Sequence, residues 1–130
     1  MTDCLFCKIA AGEIPATKIY EDEHTFAFLD INPVNPGHIL VVPKDHSENI
    51  LDIESEPFAH VMETVRKLSP AIKEGVSADS INIHMIGEDV QHTHVQIIPR
   101  FLDDGYKFWI GQPYEDEQGQ IVAKQIINQL

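Results

Sequence analysis

The run His92-Thr93-His94-Val95-Gln96-Ile97-Ile98-Pro99-Arg100 sets a side chain capable of metal, phosphate or proton chemistry at every second position, with Val95 and Ile97 between. In a β-strand this alternation puts His92, His94 and Gln96 on one face and the apolar residues on the other. Same-face neighbours then stand roughly 6.5–7 Å apart, so two imidazoles can serve one site without crowding.

Outward from this run, the chain supplies partner elements. Ser80–Ile86 and Gln91–Arg100 read as strands joined by a short hairpin through Gly87-Glu88-Asp89. His38–Pro43 is a strongly apolar strand that follows the turn cluster Asn32-Pro33-Val34-Asn35-Pro36-Gly37. Thr17–Glu21 and Thr25–Leu29 flank the acidic turn Glu21-Asp22-Glu23. Phe58, Met62, Val65, Leu68 and Ile72 recur at helical spacing across 55–74, with Ser55 as N-cap, Gly75 as stop and Pro70 as an expected kink. Cys4–Ala11 reads as a short helix ended by Gly12. Residues 102–114 read as irregular with Trp109 as anchor, and Ile121–Leu130 as a C-terminal amphipathic helix. Strands outnumber helices and most connections between them are short, which predicts an α+β domain with an antiparallel sheet.

Composition narrows the function classes. At 130 residues and 43% hydrophobic, the chain is expected to form a single domain over 1–130 with an ordinary core. Nine Lys plus Arg among 21 Asp plus Glu give a net charge of -12 and no clustered basic patch, which argues against nucleic-acid binding. An acidic body also repels phosphate at long range, so a phosphate ligand has to be captured by local groups such as His, backbone N–H and helix ends. No apolar run approaches membrane-spanning length, and Met-Thr-Asp-Cys lacks the start of a secretory signal. No membrane partner and a cytoplasmic location are therefore expected.

In that compartment Cys4 and Cys7 stay reduced, and the Cys4-x-x-Cys7 spacing favours a metal over a disulfide. A redox pair of this spacing would belong to a βαβ unit, and the pattern shows none. Two thiolates need two further N or S ligands for a tetrahedral zinc site. The seven histidines, at 24, 38, 46, 60, 84, 92 and 94, all qualify, and periodicity does not choose among them.

The ordered set Cys4-x-x-Cys7-Lys8-Ile9, Gly12-Glu13-Ile14-Pro15, Glu21-Asp22, Phe28-Leu29-Asp30-Ile31, Gly37-His38-x-Leu40-Val41-x-Pro43-Lys44-x-His46, His92-x-His94 and Ile98-Pro99-Arg100 resembles the histidine triad (HIT) superfamily, closest to its small zinc-containing bacterial members. The resemblance covers nearly all of residues 4–100. It implies an antiparallel five-stranded sheet with one long helix and a C-terminal helix, paired into a homodimer. It also implies a nucleotide pocket and a histidine that attacks the α-phosphorus of a nucleoside 5′-phosphate derivative. On this chain the resemblance makes His94 the nucleophile, with Gln96 and His38 as the other catalytic positions. Asp30 matches the ribose-holding carboxylate, and Leu5, Phe6, Ile9, Phe28 and Ile31 match the apolar wall of the base pocket. Asn82 is a further candidate on the phosphate side. Cys4, Cys7, His46 and His92 match the ligands of a structural Zn2+. The expected partner is a purine nucleotide or related small molecule.

Two departures from the family pattern stand out. Gln96 replaces the third histidine of the triad; it can hydrogen-bond a phosphate oxygen but cannot carry a proton. Within the superfamily such a Gln resembles the transferase branch, whereas the rest of the chain resembles the hydrolase branch. The segment before the triad is also shortened, and Glu88 and Asp89 stand where neutral groups would help to hold phosphate. The expectation is a nucleotide phosphohydrolase or nucleotidyl transferase working through a nucleotidyl-histidine, acting on dinucleoside polyphosphates or nucleoside phosphoramidates. The alternative is a nucleotide-binding regulatory module with little or no turnover. His84 has no assignable counterpart and reads as a half-buried structural residue.

Overall fold

In the computed structural model, which describes residues 3–107 and 110–130, five strands form one antiparallel sheet. The elements run α1 (Leu5–Ala10), β1 (Lys18–Glu21), β2 (Thr25–Leu29), β3 (Ile39–Pro43), α2 (Ser55–Gly75), β4 (Ser80–His84), β5 (Val95–Arg100) and α3 (Gln118–Ile127). The spatial order is β1-β2-β3-β5-β4, with every pairing antiparallel. This is the expected α+β architecture.

Every residue of β3 is buried, because helices cover both faces of the central strands. Ala27, Ile39, Val41, Val95 and Ile97 point to one face and meet Val61, Val65, Leu68 and Ile72 of α2. These helical positions repeat at the spacing read from the sequence, and they form one buried stripe. Phe26, Phe28, Leu40 and Val42 point to the other face and meet Phe6 and Ile9 of α1. The period-two alternation of β2 and β3 therefore feeds two cores, one beneath each helix. The α1 face is the one that carries Gln96, which is paired with Leu40.

Several boundaries differ from the expectations. Glu54, not Ser55, is the N-cap of α2, and it makes no side-chain cap hydrogen bond. α2 runs on past Pro70 and includes Gly75, the expected stop. β3 begins at Ile39, because the His38 N–H turns back to the Asn35 carbonyl at 3.1 Å. α3 begins at Gln118, one turn before the expected Ile121. Trp109 lies outside the described residues.

The largest correction concerns the triad itself. β4 ends at His84 and β5 begins at Val95, so His92 and His94 stand in the approach to β5 rather than in its ladder, and residues 85–94 form a loop instead of a short hairpin. The backbone there finds other partners. Thr93 N–H donates to the Ser47 carbonyl at 2.7 Å, and the Thr93 and Ser47 hydroxyls share a 2.7 Å hydrogen bond. Residues 92–94 are thereby tied to the segment after β3 and drawn away from β4.

Candidate active site

Two adjoining clusters are built on the α1 face. In the first, Cys4, Cys7, His46 and His92 bring one ligand atom each to within 4.8 Å of all the others. Cys4 lies at the N-cap of α1 and Cys7 one turn on, a spacing that turns both sulfurs to the same side; the Cys7 N–H points at Cys4 Sγ, 3.4 Å away. His92 Nδ1 lies 3.3 Å from Cys4 Sγ, 3.4 Å from Cys7 Sγ and 3.2 Å from His46 Nδ1, and Cys7 Sγ lies 3.4 Å from His46 Nδ1. A tetrahedral zinc at about 2.3 Å from sulfur and about 2.0 Å from nitrogen separates unlike donors by roughly 3.5 Å, so the cluster fits such an ion.

The donor chemistry agrees with the geometry. His92 Nε2 lies 2.9 Å from the Pro43 carbonyl, which can only accept, so the proton sits on Nε2 and the Nδ1 lone pair faces the sulfurs. Burial pushes the His92 pKa down, against the Pro43 hydrogen bond and with help from His46 and His94, which keeps the ring a neutral donor. Burial pushes the Cys7 thiol up to about 11, reinforced by Cys4 beside it. A cation has to displace that proton. Of the seven histidines left open by the sequence pattern, His46 and His92 are those brought to the cysteines.

The second cluster surrounds a cavity of about 300 Å³. Leu5, Phe6 and Ile9 of α1 form one wall, and Phe28, Asp30 and Ile31 at the end of β2 form another. Ile14, Pro15 and Ala16 close the side between them. His94 and Gln96 reach the floor, with Asp89 and Val90 of the 85–94 loop beside them. Phe6 packs edge-on against His94 with ring centres 5.1 Å apart, which confines the imidazole. Mostly apolar walls with a few convergent polar groups are the usual make-up of a small-molecule site.

The tautomer of His94 follows from one contact. Its Nδ1 stands 2.8 Å from the His92 carbonyl and must donate to it, so in the neutral ring the lone pair is the one on Nε2, at the cavity floor. Facing that nitrogen at 3.3 Å is a carboxylate oxygen of Asp89. His38 is buried behind the floor and does not line the cavity. Its Nδ1 accepts the Val34 N–H at 3.1 Å, and its Nε2 lies 2.8 Å from Gln96 Oε1 and 3.6 Å from Asp30 Oδ2.

All the residues assigned from the resemblance therefore lie at these two clusters or directly behind them, except Asn82. The β4–β5 register sets His84 opposite Gln96 and Asn82 opposite Ile98, beyond the cavity lining. The contact of Asp89 with His94 was not anticipated, nor were Ile14–Ala16 as a wall. For Asp89 the only available signal was a carboxylate in a shortened loop. For Ile14–Ala16 it was the Gly12-Glu13-Ile14-Pro15 stretch, and Gly12 does take the positive φ of +80° that turns the chain there.

The HIT domain family model matches residues 11–103. The crystal structure of a HIT family member from Bacillus subtilis superposes with a TM-score of 0.90 at 37% identity, covering 98% of this chain and 97% of that one. A zinc-bound histidine triad family protein from Mycobacterium smegmatis superposes with a TM-score of 0.77 at 32% identity, covering 99% of each chain. Among curated relatives, the adenosine 5′-monophosphoramidase hnt1 of Schizosaccharomyces pombe is 36% identical, over 85% of this chain and 83% of that protein.

Proposed function

The chain belongs to the HIT domain family, and from that premise we propose that it is a nucleotide phosphohydrolase or nucleotidyl transferase that acts at the α-phosphorus of nucleoside 5′-phosphate derivatives through His94. The observation that carries this reading is the bond from His94 Nδ1–H to the His92 carbonyl, which makes Nε2 the nucleophilic nitrogen of the neutral ring, at the floor of a nucleotide-sized cavity, once a phosphoryl group displaces Asp89. The sequence relationship to an adenosine 5′-monophosphoramidase supports a nucleotide substrate.

In the first step the Nε2 lone pair forms a bond to the α-phosphorus. The bond from phosphorus to the leaving group breaks, and its electron pair departs with that group. In the second step water, or another acceptor, attacks phosphorus, the P–N pair returns to His94, and the proton of the attacking group passes to solvent. Gln96 donates an amide hydrogen to a phosphoryl oxygen whose charge builds in both steps. Asp30, at the end of β2, accepts hydrogen bonds from the ribose hydroxyls, and Leu5, Phe6, Ile9, Phe28 and Ile31 hold the base. Cys4, Cys7, His46 and His92 would hold a structural zinc, which closes its own coordination shell and fixes His92 two residues before the nucleophile.

The test is to trap the intermediate. Incubation with nucleotide labelled at the α-phosphorus, followed by rapid denaturation, is expected to leave label on His94. The label should be acid-labile and absent from His94→Asn. Tight nucleotide binding with neither adduct nor turnover would instead support a nucleotide-binding regulatory module, which the carboxylate of Asp89 against Nε2 favours.

A further inference from the structure

Asp89 Oδ1 stands 3.3 Å from His94 Nε2, where a reacting phosphorus has to come to be attacked. The carboxylate thus occupies the place of the substrate's phosphoryl group. Its side chain is 56% exposed and sits on the 85–94 loop, and a bound phosphoryl group has to displace it. A displaced Asp89 still leaves a carboxylate on the loop that borders the cavity. Asp30 adds a second carboxylate to the lining, and neither lysine nor arginine lines the cavity among the described residues. The net charge of -12 adds long-range repulsion of the same sign.

We propose that Asp89 is a specificity-determining residue that selects substrates by leaving-group charge, so that the favoured ones are nucleotide anhydrides whose leaving acid carries little negative charge. This rests on the nucleotidyl-His94 reading above and narrows it. Two constraints meet here. Gln96 cannot supply a proton, so the group expelled has to be a weak base that departs with the electron pair alone. Asp89 penalises each negative charge carried beyond the α-phosphorus. Amines fail the first requirement and polyphosphates the second. A mixed anhydride of a nucleoside monophosphate with a carboxylic acid satisfies both: His94 Nε2 bonds to phosphorus, the P–O bond breaks, and a carboxylate leaves unprotonated.

The experiment is a charge ladder with one nucleoside: acetyl-AMP, adenosine 5′-phosphosulfate, ADP and ATP. kcat/KM is measured for the wild type and for Asp89→Asn, and the ratio of the two for each substrate cancels its leaving-group chemistry. A carboxylate roughly 7 Å from an added charge at a half-exposed site corresponds to on the order of tenfold per charge. The ratio of Asp89→Asn to wild type is therefore expected to stay within about threefold for acetyl-AMP and to climb along the ladder to at least about 100-fold for ATP. Raising the salt concentration should flatten the climb of this ratio. An equal ratio for all four substrates, with His94 still required, would overturn this proposal alone, because Asp89 would then only cover the nucleophile. Turnover of the ladder that survives His94→Ala would overturn both readings.

Discussion

His38 Nε2 lies 2.8 Å from Gln96 Oε1, and this contact decides which half of the Gln96 amide faces the cavity. The Val34 N–H can only donate, so His38 Nδ1 accepts and the His38 proton sits on Nε2. Gln96 has to present its oxygen to that proton. Its NH2 group is then turned towards the floor that His94 shares. A buried histidine thereby makes position 96 a hydrogen-bond donor without giving it a proton to lose.

The first prediction tests that orientation. Gln96→Glu keeps an acceptor for His38 but sets a negative charge where the donor stood. It is expected to lower kcat/KM by about 100-fold or more on any substrate, the usual effect of losing one such donor. Gln96→His restores a titratable group and should raise phosphoramidate turnover more than anhydride turnover, since proton delivery to a leaving amine is worth about 10²–10⁴-fold. Equal stimulation of both substrate classes would show that position 96 acts through phosphate positioning alone. Robust phosphoramidate cleavage by the wild type would show that His38 or water supplies the proton.

The second prediction concerns the metal. Purified protein is expected to hold about one zinc per chain, and Cys7→Ser to lose most of it, as read by elemental analysis. Because an ion held by these four residues would tie α1 to the segments carrying His46 and His92, chelation should lower the melting temperature by more than about 5 °C. Metal-free wild type of unchanged stability would refute a structural role.

The third prediction is a homodimer. α2 covers one face of the sheet, but α1 has only six residues and covers part of the other. α3 buries none of its residues, and Ile121, Ile126 and Ile127 are all exposed. The edge strand β4 exposes Ile83. A second copy of the chain is the expected partner for these surfaces. Light scattering at micromolar concentration should return about twice 14.7 kDa, and a mass near 14.7 kDa would exclude the dimer.

The sheet was legible because its residues obey one short rule. Ala27, Ile39, Val41, Val95 and Ile97 alternate with Phe26, Phe28, Leu40 and Val42, and α2 repeats its apolar positions at helical spacing. The candidate site was legible for a different reason: its residues stand in an order and spacing shared with a known family, whereas periodicity alone did not select His46 and His92 from seven histidines. The path of residues 85–94 was not legible. Thr93 pairs with Ser47 across the fold, and no local pattern announces a tertiary hydrogen bond. The same blindness hid the approach of Asp89 to His94.

The fourth prediction is a pH dependence built into the β1–β2 turn. Burial opposes ionisation of Asp22, but the His24 and Thr25 N–H groups and the Tyr20 and Thr25 hydroxyls outweigh it and hold the pKa at about 2, below the ordinary 3.8. A depressed acid contributes stability that is complete above its unfolded value and is lost as pH falls through its folded value. Asp22→Asn should therefore be less stable than wild type from neutral pH down to about pH 5, and the gap should close between about pH 4 and pH 2. Urea unfolding of both proteins across that range measures it. A gap that persists unchanged at pH 2 would mean that the carboxylate charge does not matter there.

The last prediction joins backbone strain to the site. Gly37 has a φ of +94°, a conformation that L side chains rarely adopt. A Cβ placed there would meet Val76 Cγ1 at 3.0 Å and Pro99 Cγ at 3.2 Å. Both contacts are with side chains, so an alanine fits only if Val76 and Pro99 give way by a few tenths of an ångström. Gly37→Ala is therefore expected to cost about 1–3 kcal/mol, from the left-handed conformation together with overpacking. The strain falls on the residue next to His38, whose carbonyl accepts the Asp30 N–H at 2.9 Å and whose ring orients Gln96. Activity should therefore fall by more than the unfolded fraction explains, with the loss in kcat, while zinc content stays at the wild-type level. Thermal unfolding, kinetics and elemental analysis on one preparation separate these effects. A Gly37→Ala protein that loses stability but keeps full kcat would show that the turn and the His38–Gln96 contact are mechanically independent.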